Sequence, residues 1–366
     1  MTLDRSVLYA ILAALLFGLN APFSKLLLDE MSPLYLAAFL YLGAGLGMLI
    51  LVLLNRKKLA QKEAPLTKKE LPSVILMILL DIAAPIFLML GISQTNSATA
   101  ALLGNFEIVA TALIAMIFFK EAIGKRLTIA IIFITVSSMI LTLGDGGDLQ
   151  VSSGAVYVLL ACICWGFENN CTRNLSHKDP AQVVVLKGFG SGTGALIIAL
   201  IWGSFSGRAV EMLLSMLLGF VAYGLSILFY VKAQRGLGAA RTSAYYAAAP
   251  FMGVVISWLI FGTGLNLAFG LALILMLIGT YFTVSEDHGH VHSHHALTHD
   301  HQHSHDDGHH DHGHKEQTAH SHSHTHEQVN HAHSHLPDIH HRHQHGLKRC
   351  WSIRDLNLIL DKRHCI

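Results

Sequence analysis

The fold is indicated by residues 91–121, GISQTNSATAALLGNFEIVATALIAMIFFKE, because this stretch returns in altered form at residues 232–262, KAQRGLGAARTSAYYAAAPFMGVVISWLIFG. Each stretch opens with polar and small residues and continues as an apolar run. A second pair follows the same order, since LLFGLNAPFSKL at 15–26 is echoed by ICWGFENNCTRNL at 163–175. Identity within each pair is low, but the order of the motifs is kept. The chain is therefore predicted to consist of two related halves.

The composition is typical of an integral membrane protein. Of the 366 residues, 52% are hydrophobic and only 13% are charged, and the mean hydropathy is +0.47. A helix needs about 20 mostly apolar residues to cross the hydrocarbon core of a bilayer. The segments that meet this length are 6–28, 33–54, 71–92, 97–119, 125–144, 153–174, 181–202, 211–232, 239–261 and 266–284. We therefore expect ten transmembrane helices.

The distribution of basic residues predicts the orientation, because Lys and Arg near the ends of spans are retained on the cytoplasmic side. With a cytoplasmic N-terminus, fifteen basic residues fall in the inner loops and one, Arg208, falls outside. We therefore expect a multi-pass protein of the plasma (inner) membrane with both termini in the cytoplasm. The net charge of +1 gives no reason to expect a nucleic-acid partner.

Each half contains five spans. Because five is an odd number, the second half must cross the membrane in the opposite orientation to the first, and this predicts an inverted repeat. Such repeats are the usual construction of secondary transporters, whose substrate site lies near the membrane midplane between the halves. The predicted fold class is an all-α integral membrane protein of ten transmembrane helices in two inverted five-helix repeats, with a disordered His-rich cytoplasmic tail. The alternative is that two helix bundles share Gly, Ala and Leu by chance.

Several motifs resemble the drug/metabolite transporter superfamily and, within it, the EamA-like family. They are the fourth and ninth spans led by TNSATAALL and LGAARTSAYY, AAPF at 248–251, FFKEAIGKRLT at 118–128 and the Trp165-Gly166 opening of the sixth span. The resemblance covers residues 6–284. It implies a ten-helix carrier with two EamA repeats that moves small metabolites, often amino acids, outward by alternating access.

Two positions depart from the pattern of that family. Glu121 follows the fourth span, but FGTGLN after the ninth span lacks its acidic counterpart. The first repeat has Ile108 where the second has Pro250, so a helix break caused by proline is expected on one side only. The predicted regions are a first EamA repeat at 1–145, a second at 151–285, a His-rich tail at 286–346 and a short amphipathic C-terminal segment at 347–366.

Five charged side chains fall inside predicted spans, where a charge costs about 2.5 to 3.5 kcal/mol on insertion scales and therefore usually faces a cavity or a partner. Lys25 lies near the outer end of its span and is expected to snorkel to the headgroups. Asp81 and Glu107 lie near mid-depth, where no basic residue is evident. They are candidates for proton carriers or for ligands of a cationic substrate group, and the alternative is an ordinary hydrogen-bonding role. Glu168 and Lys187 lie at matching depth on neighbouring helices. They are predicted to form an ion pair that fixes helix packing, or to belong to the same path.

Amide and aromatic side chains near these charges are candidates for lining the same cavity, with helix packing as the alternative. They are Asn105, Asn169, Asn170, Tyr245 and Tyr246. The glycine-rich run KGFGSGTG at 187–194 is expected to serve close helix packing. The predicted substrate or proton path consists of Asp81, Glu107, Glu168, Lys187, Asn105, Tyr245 and Tyr246.

The tail holds 24 of the 26 histidines between residues 288 and 345, mostly in His-x-His steps among small polar residues. Such a segment cannot bury a core and is expected to be disordered. Neutral imidazoles suit Zn, Ni, Co and Cu, so the tail is predicted to bind these metals, although a low-complexity tail without a metal role is the alternative. The candidate ligands are His288, His290, His292, His294, His299, His301, His303, His305, His309, His312, His314, His320, His322, His324 and His326.

These features predict a secondary transporter that exports a small metabolite by alternating access, with a tail that senses, buffers or loads metal. The alternative is direct export of a divalent metal ion or a metal chelate. No phosphate loop, nucleophile elbow or zincin motif is present in the sequence, so an enzyme is not expected and no cofactor is required. The expected partners are the lipid bilayer, the small-molecule substrate and transition metals, and a homodimer stays an option.

Overall fold

The computed structural model describes residues 5–54, 66, 68–119, 123–143, 152–172, 175, 179–205, 207–262, 266–285, 289–293, 297–303, 320–326 and 330–334. The chain divides into two units, Met1–Glu286 and Asp287–Ile366. The first unit contains the predicted spans, and the second contains the His-rich tail.

The described parts of the first unit are helical. The helices are α1 (Arg5–Gly18), α2 (Asn20–Leu28), α3 (Pro33–Leu54), α4 (Leu71–Gln94), α5 (Ser97–Leu103), α6 (Phe106–Phe119), α7 (Lys125–Thr142), α8 (Ser153–Thr172), α9 (Pro180–Trp202), α10 (Ala209–Gly219), α11 (Ser226–Tyr246), α12 (Ala249–Phe261) and α13 (Leu267–Val284). A π-helical segment, Phe220–Leu225, joins α10 to α11, and a 3-10 turn, Lys68–Glu70, precedes α4.

Helix occupies each of the ten predicted windows, which confirms an all-α membrane protein. Among the described residues, eight stretches are long and apolar enough to span a membrane, namely Arg5–Leu28, Pro33–Leu54, Lys68–Gln94, Ser97–Phe118, Lys125–Thr142, Ala181–Trp202, Ala209–Ala233 and Leu267–Val284. In the ninth window α12 is a shorter apolar helix. In the sixth window α8 carries Glu168, Asn169 and Asn170 near its end, which lowers its hydropathy.

One predicted loop is helical instead. Residues 233–238, between the eighth and ninth windows, lie inside α11, which continues to Tyr246. The segment holds Ala, Gln, Arg and Leu, which are good helix formers, and it contains no proline that would end the helix.

The principal helix pairs join the two halves of the chain, with α3 against α9, α4 against α8, α1 against α11 and α7 against α13. The α3–α9 pair packs closely because glycines at the contact leave no side chains between the two backbones. A Cβ atom at Gly188 would lie 2.8 Å from the carbonyl oxygen of Tyr41 and nearer still to the backbone of Gly45. A Cβ atom at Gly192 would lie 2.7 Å from the amide nitrogen of Leu42. The prediction that the glycine-rich run serves close helix packing is confirmed.

A helix break occurs in both halves, but only one of the two breaks involves proline, as predicted. Between α11 and α12 the break precedes Pro250, which has no amide hydrogen to donate. Between α5 and α6 the backbone tightens without proline, because Asn105 N–H donates to Leu102 O at 3.2 Å and Glu107 N–H donates to Gly104 O at 3.1 Å. This three-residue spacing is that of a 3-10 turn, which replaces the α-helical hydrogen bonds there.

The second unit contains four short strands, β1 (Gly289–Ser293), β2 (Leu297–His303), β3 (His320–His326) and β4 (Asn330–Ser334), with β1 antiparallel to β4 and β2 antiparallel to β3. The opposed histidines are His290 and His333, His292 and His331, His299 and His324, His301 and His322, and His303 and His320. The alternation of His with small polar residues matches the two-residue period of a strand, which accounts for these extended segments. Disorder of the rest of the tail stays a prediction.

We expect Gly188→Ala to lower the apparent melting temperature of the purified carrier, because the added methyl group meets backbone of α3 that has no room to yield. Overpacking of this kind costs about 1–3 kcal/mol. Gly270→Ala on α13 is the matched control, since a Cβ atom there meets nothing within 4 Å. Equal melting temperatures for the two variants, measured by fluorescence-detected thermal unfolding, would contradict this packing.

Candidate functional site

The centre of the first unit holds an ammonium group between two carboxylates. Lys187 Nζ on α9 lies 2.9 Å from Asp81 Oδ2 on α4 and 3.3 Å from Glu168 Oε1 on α8. The exposed fractions of the side chains are 17% for Lys187, 0% for Asp81 and 7% for Glu168. Three helices from both halves of the chain are therefore joined through one lysine.

Tyr41 on α3 completes this group, which we call the central charge cluster: Tyr41, Asp81, Glu168 and Lys187. The Tyr41 hydroxyl donates to Asp81 Oδ1 at 3.2 Å. Asp81 thus receives a neutral donor on one oxygen and a cation on the other. A carboxylate held in this way is fixed in position, because charge-assisted hydrogen bonds constrain it from two sides.

The prediction that Asp81 has no basic partner is wrong. The prediction uses position along a span, which gives the depth of each Cα atom in the membrane. By this depth Lys187 matches Glu168 and not Asp81. A lysine side chain extends about 6 Å beyond its Cα and reaches groups at a different depth. The ion pair of Glu168 with Lys187 is confirmed, and the structure adds Asp81 to it.

Glu107 lies beside this cluster, in the first turn of α6. Asn169 on α8 donates through Nδ2 to Glu107 Oε1 at 2.7 Å and to Thr111 Oγ1 at 3.3 Å. Asn169 follows Glu168 directly, so α8 contributes Glu168 to the central charge cluster and Asn169 to Glu107. The neighbouring Asn170 donates to the carbonyl oxygens of Thr111 and Gly166 at 3.0 and 2.8 Å, which makes it a packing residue.

Asn105 is placed at the break between α5 and α6 and is 2% exposed. Its Nδ2 donates no hydrogen bond to any residue that the structure describes. Tyr246 packs against Phe17 and Tyr230, with ring centroids 5.7 and 5.0 Å apart, whereas Tyr245 is 40% exposed. Among the predicted path residues, Lys187 therefore contacts both Asp81 and Glu168, and Glu107 adjoins them through Asn169 of α8.

A hydrogen-bonded and aromatic chain that the sequence did not reveal leads from the break between α1 and α2 to the central charge cluster. Asn20, the first residue of α2, donates through Nδ2 to the Tyr223 hydroxyl at 2.9 Å. Tyr223 lies in the π-helical segment, and its ring centroid is 5.2 Å from that of Tyr41. The available signal was an amide and two hydroxyl groups inside apolar spans, since buried polar groups need partners.

Lys25 is predicted to snorkel to the headgroups, and the structure gives its ammonium group partners within the protein. Its Nζ donates to the carbonyl oxygens of Ile92, Ser93 and Thr95, at 2.7, 3.2 and 2.8 Å. These groups lie at the C-terminal end of α4, where unsatisfied carbonyls and the helix dipole favour a cation. Lys25 therefore ties α2 to the end of α4.

Metal binding is predicted for the tail, and its side chains lie outside the part of the chain that the structure describes. His290, His292, His299, His301, His303, His320, His322, His324 and His326 lie in strands of which only the backbone is described. His288, His294, His305, His309, His312 and His314 lie outside the described residues. Where side chains are described, no group of three or more His, Cys, Asp or Glu is placed so as to hold a metal ion.

Comparison with known proteins gives matches over most of the first unit. The family profile described as the EamA-like transporter family matches residues 4–143 and 152–285. An uncharacterized transporter of Methanothermobacter thermautotrophicus is 25% identical over 290 residues, which cover 74% of this chain and 83% of that protein. The uncharacterized transporter YyaM of Bacillus subtilis is 21% identical over 272 residues, 72% of this chain and 88% of that protein. A crystal structure with 15% identity has a similar fold, with a TM-score of 0.56 over 76% of this chain and 96% of that one.

We expect Lys187→Met to destabilise the carrier strongly, by about 3–5 kcal/mol, because it leaves two buried carboxylates without their cation. Adding Asp81→Asn should recover part of the loss, since one of the two charges is then removed. Thermal unfolding of both single variants and the double variant measures the coupling, which should exceed about 1 kcal/mol. Strictly additive effects would show that Lys187 and Asp81 do not interact in the folded protein.

Proposed function

The chain belongs to the EamA-like transporter family, and from that premise we propose that it exports a small organic metabolite across the inner membrane by alternating access, with the central charge cluster in the substrate path. Membership makes it a transporter with several membrane-spanning helices. The direction of transport, the substrate and the part played by the tail are the content of the proposal. The outward direction rests on the resemblance to the family.

The observation that carries the proposal is the bridging of Asp81 and Glu168 by Lys187. Charged groups inside a membrane protein are expensive and usually mark a substrate or ion pathway. Asp81 comes from the first repeat, and Glu168 and Lys187 come from the second. The cluster thus lies where the repeats meet, which is where carriers built from inverted repeats bind their substrates.

The interrupted helices support the same assignment. The breaks before Asn20, at Gly104 and before Ala249, together with the π-helical segment, free backbone groups inside the bundle. Irregular backbone is tolerated at membrane depth only where it is buried in protein or lines a cavity. π-helical segments are also frequent at functional sites. These discontinuities are suitable hinges for a change of access.

We further propose that the His-rich tail binds divalent transition metals and senses, buffers or loads them. The support is the His-x-His pattern and the pairing of histidine with histidine in five of the strand registers. Each of these registers therefore sets one histidine residue opposite another along the paired strands. The basic inner loops support a cytoplasmic position for this tail and for the N-terminus.

Direct export of a metal ion is the less supported function. The carboxylates of the central charge cluster already hold the Lys187 ammonium, and a dication would have to displace it. Zinc sites use about four ligands of the His, Cys, Asp and Glu type. The described part of the chain offers no group of even three.

We expect cells that express the full chain to accumulate at least one small metabolite in the medium, and Asp81→Asn to abolish that accumulation. A chain ending at Glu286 should still export the metabolite but should bind less nickel and zinc, because it lacks the tail. Mass spectrometry of the medium and elemental mass spectrometry of metal-challenged cells measure both effects. A fall in one cellular metal that both variants abolish, without export of a metabolite, would replace this proposal with metal or metal-chelate export.

A further inference from the structure

The central charge cluster holds one ammonium group between two carboxylates, and this arrangement indicates what the site binds. We propose that the carrier recognises its substrate through a protonated amine or guanidinium group, which takes the place of the Lys187 ammonium between Asp81 and Glu168. In the carrier without substrate, the Lys187 ammonium then neutralises the two carboxylates in the place that the substrate cation would occupy. The inference rests on the proposed transport function and names the substrate class of that same site.

Charge balance favours an exchange of this kind. Asp81 is fully buried and Glu168 nearly so. Two such carboxylates side by side repel each other and lose their hydration, so the pair is stable only with a cation between them. Any movement that withdraws Lys187 must therefore supply another cation or place a proton on one of the carboxylates.

Lys187 is the member of the cluster that a substrate can displace. It is the most exposed of the three charged groups, at 17%, and its ammonium sits at the end of a flexible four-carbon chain. Asp81 is held by the Tyr41 hydroxyl as well as by Lys187. Asp81 is thus held by a second partner, and the lysine is the part that can be displaced from the receptor that the two carboxylates form.

The surroundings suit an organic cation better than a metal ion. The Tyr223 ring packs edge-on against Phe17 at 6.0 Å and contacts the ring of Tyr41, which itself touches Asp81. Aromatic faces near the carboxylates attract ammonium and guanidinium groups and pack against their carbon atoms. The cluster contains no imidazole or thiolate, which are the ligands that zinc, nickel and copper favour.

The aromatic chain also connects the receptor to an interrupted helix. Tyr223 receives a hydrogen bond from Asn20, at the start of α2, and lies in the π-helical segment. The other end of this chain is the Tyr41 hydroxyl, which donates to Asp81 of the receptor. Occupancy of the receptor is in this way linked to two helix discontinuities.

Chemical rescue tests the proposal on the full chain. Lys187→Ala removes the tethered cation and leaves space for an external one, and propylammonium replaces the deleted part of the side chain. We expect propylammonium to raise the apparent melting temperature of Lys187→Ala saturably and to recover most of the loss relative to the wild type. Propionamide, a neutral molecule of similar size, and sodium chloride at the same ionic strength should have no such effect.

The matched control is the variant Lys187→Ala/Asp81→Asn/Glu168→Gln, in which propylammonium should have no specific effect. Rescue of the control to the same extent, or no saturable rescue of Lys187→Ala, would overturn the proposal. Rescue by Zn²⁺ or Ni²⁺ but not by propylammonium would overturn the amine class and assign the site to a dication.

Should Lys187→Ala not fold, Lys187→Ala/Asp81→Asn keeps one carboxylate and should be stabilised by propylammonium to a smaller extent. If neither variant folds even with propylammonium present throughout purification, no external cation replaces Lys187 and the proposal is wrong. The export experiment separates the two claims. An exported compound without a basic nitrogen overturns the amine class and leaves the transport function standing, whereas rescue without any export leaves the receptor and removes the transport function.

Discussion

The first unit depends on the neutralisation of two buried carboxylates by one lysine. Asp81 and Glu168 come from different halves of the chain, and neither half alone supplies the cation and both anions. The glycine-lined contact of α3 with α9 brings Tyr41 and Lys187 close enough to act on the same carboxylate. Close packing thus determines the geometry of the charges, and the charges in turn hold three helices together.

The spans and their repeat could be predicted from the sequence, because hydrophobic length and the distribution of basic residues reflect the bilayer directly. Glu168 and Lys187 could be paired for the same reason, since their depth follows from their position along a span. The partnership of Lys187 with Asp81 could not, because it depends on how far a flexible side chain reaches between helices whose rotation the sequence does not specify.

Local backbone features were also hidden. The break at Gly104 has no proline, and only the tightened hydrogen bonds around it reveal the change of helix type. Lys25 has the position of a snorkelling residue, but the carbonyl groups at the end of α4 come within its reach only in the folded bundle. Asn20 and Tyr223 are 203 residues apart in sequence, so their hydrogen bond is a property of the tertiary structure.

Thiol accessibility tests most directly whether the central charge cluster lines a path that opens to both sides of the membrane. Cys164 lies one helical turn before Glu168 on α8, whereas Cys162 is fully buried and donates to the carbonyl oxygen of Leu103. In chains that keep a single cysteine, a membrane-impermeant cationic methanethiosulfonate should modify Cys164 from either side of sealed vesicles and leave Cys162 unmodified. If the reagent fails to modify Cys164 from one side or from both, the result would contradict a transport path that passes this cluster and opens to both sides.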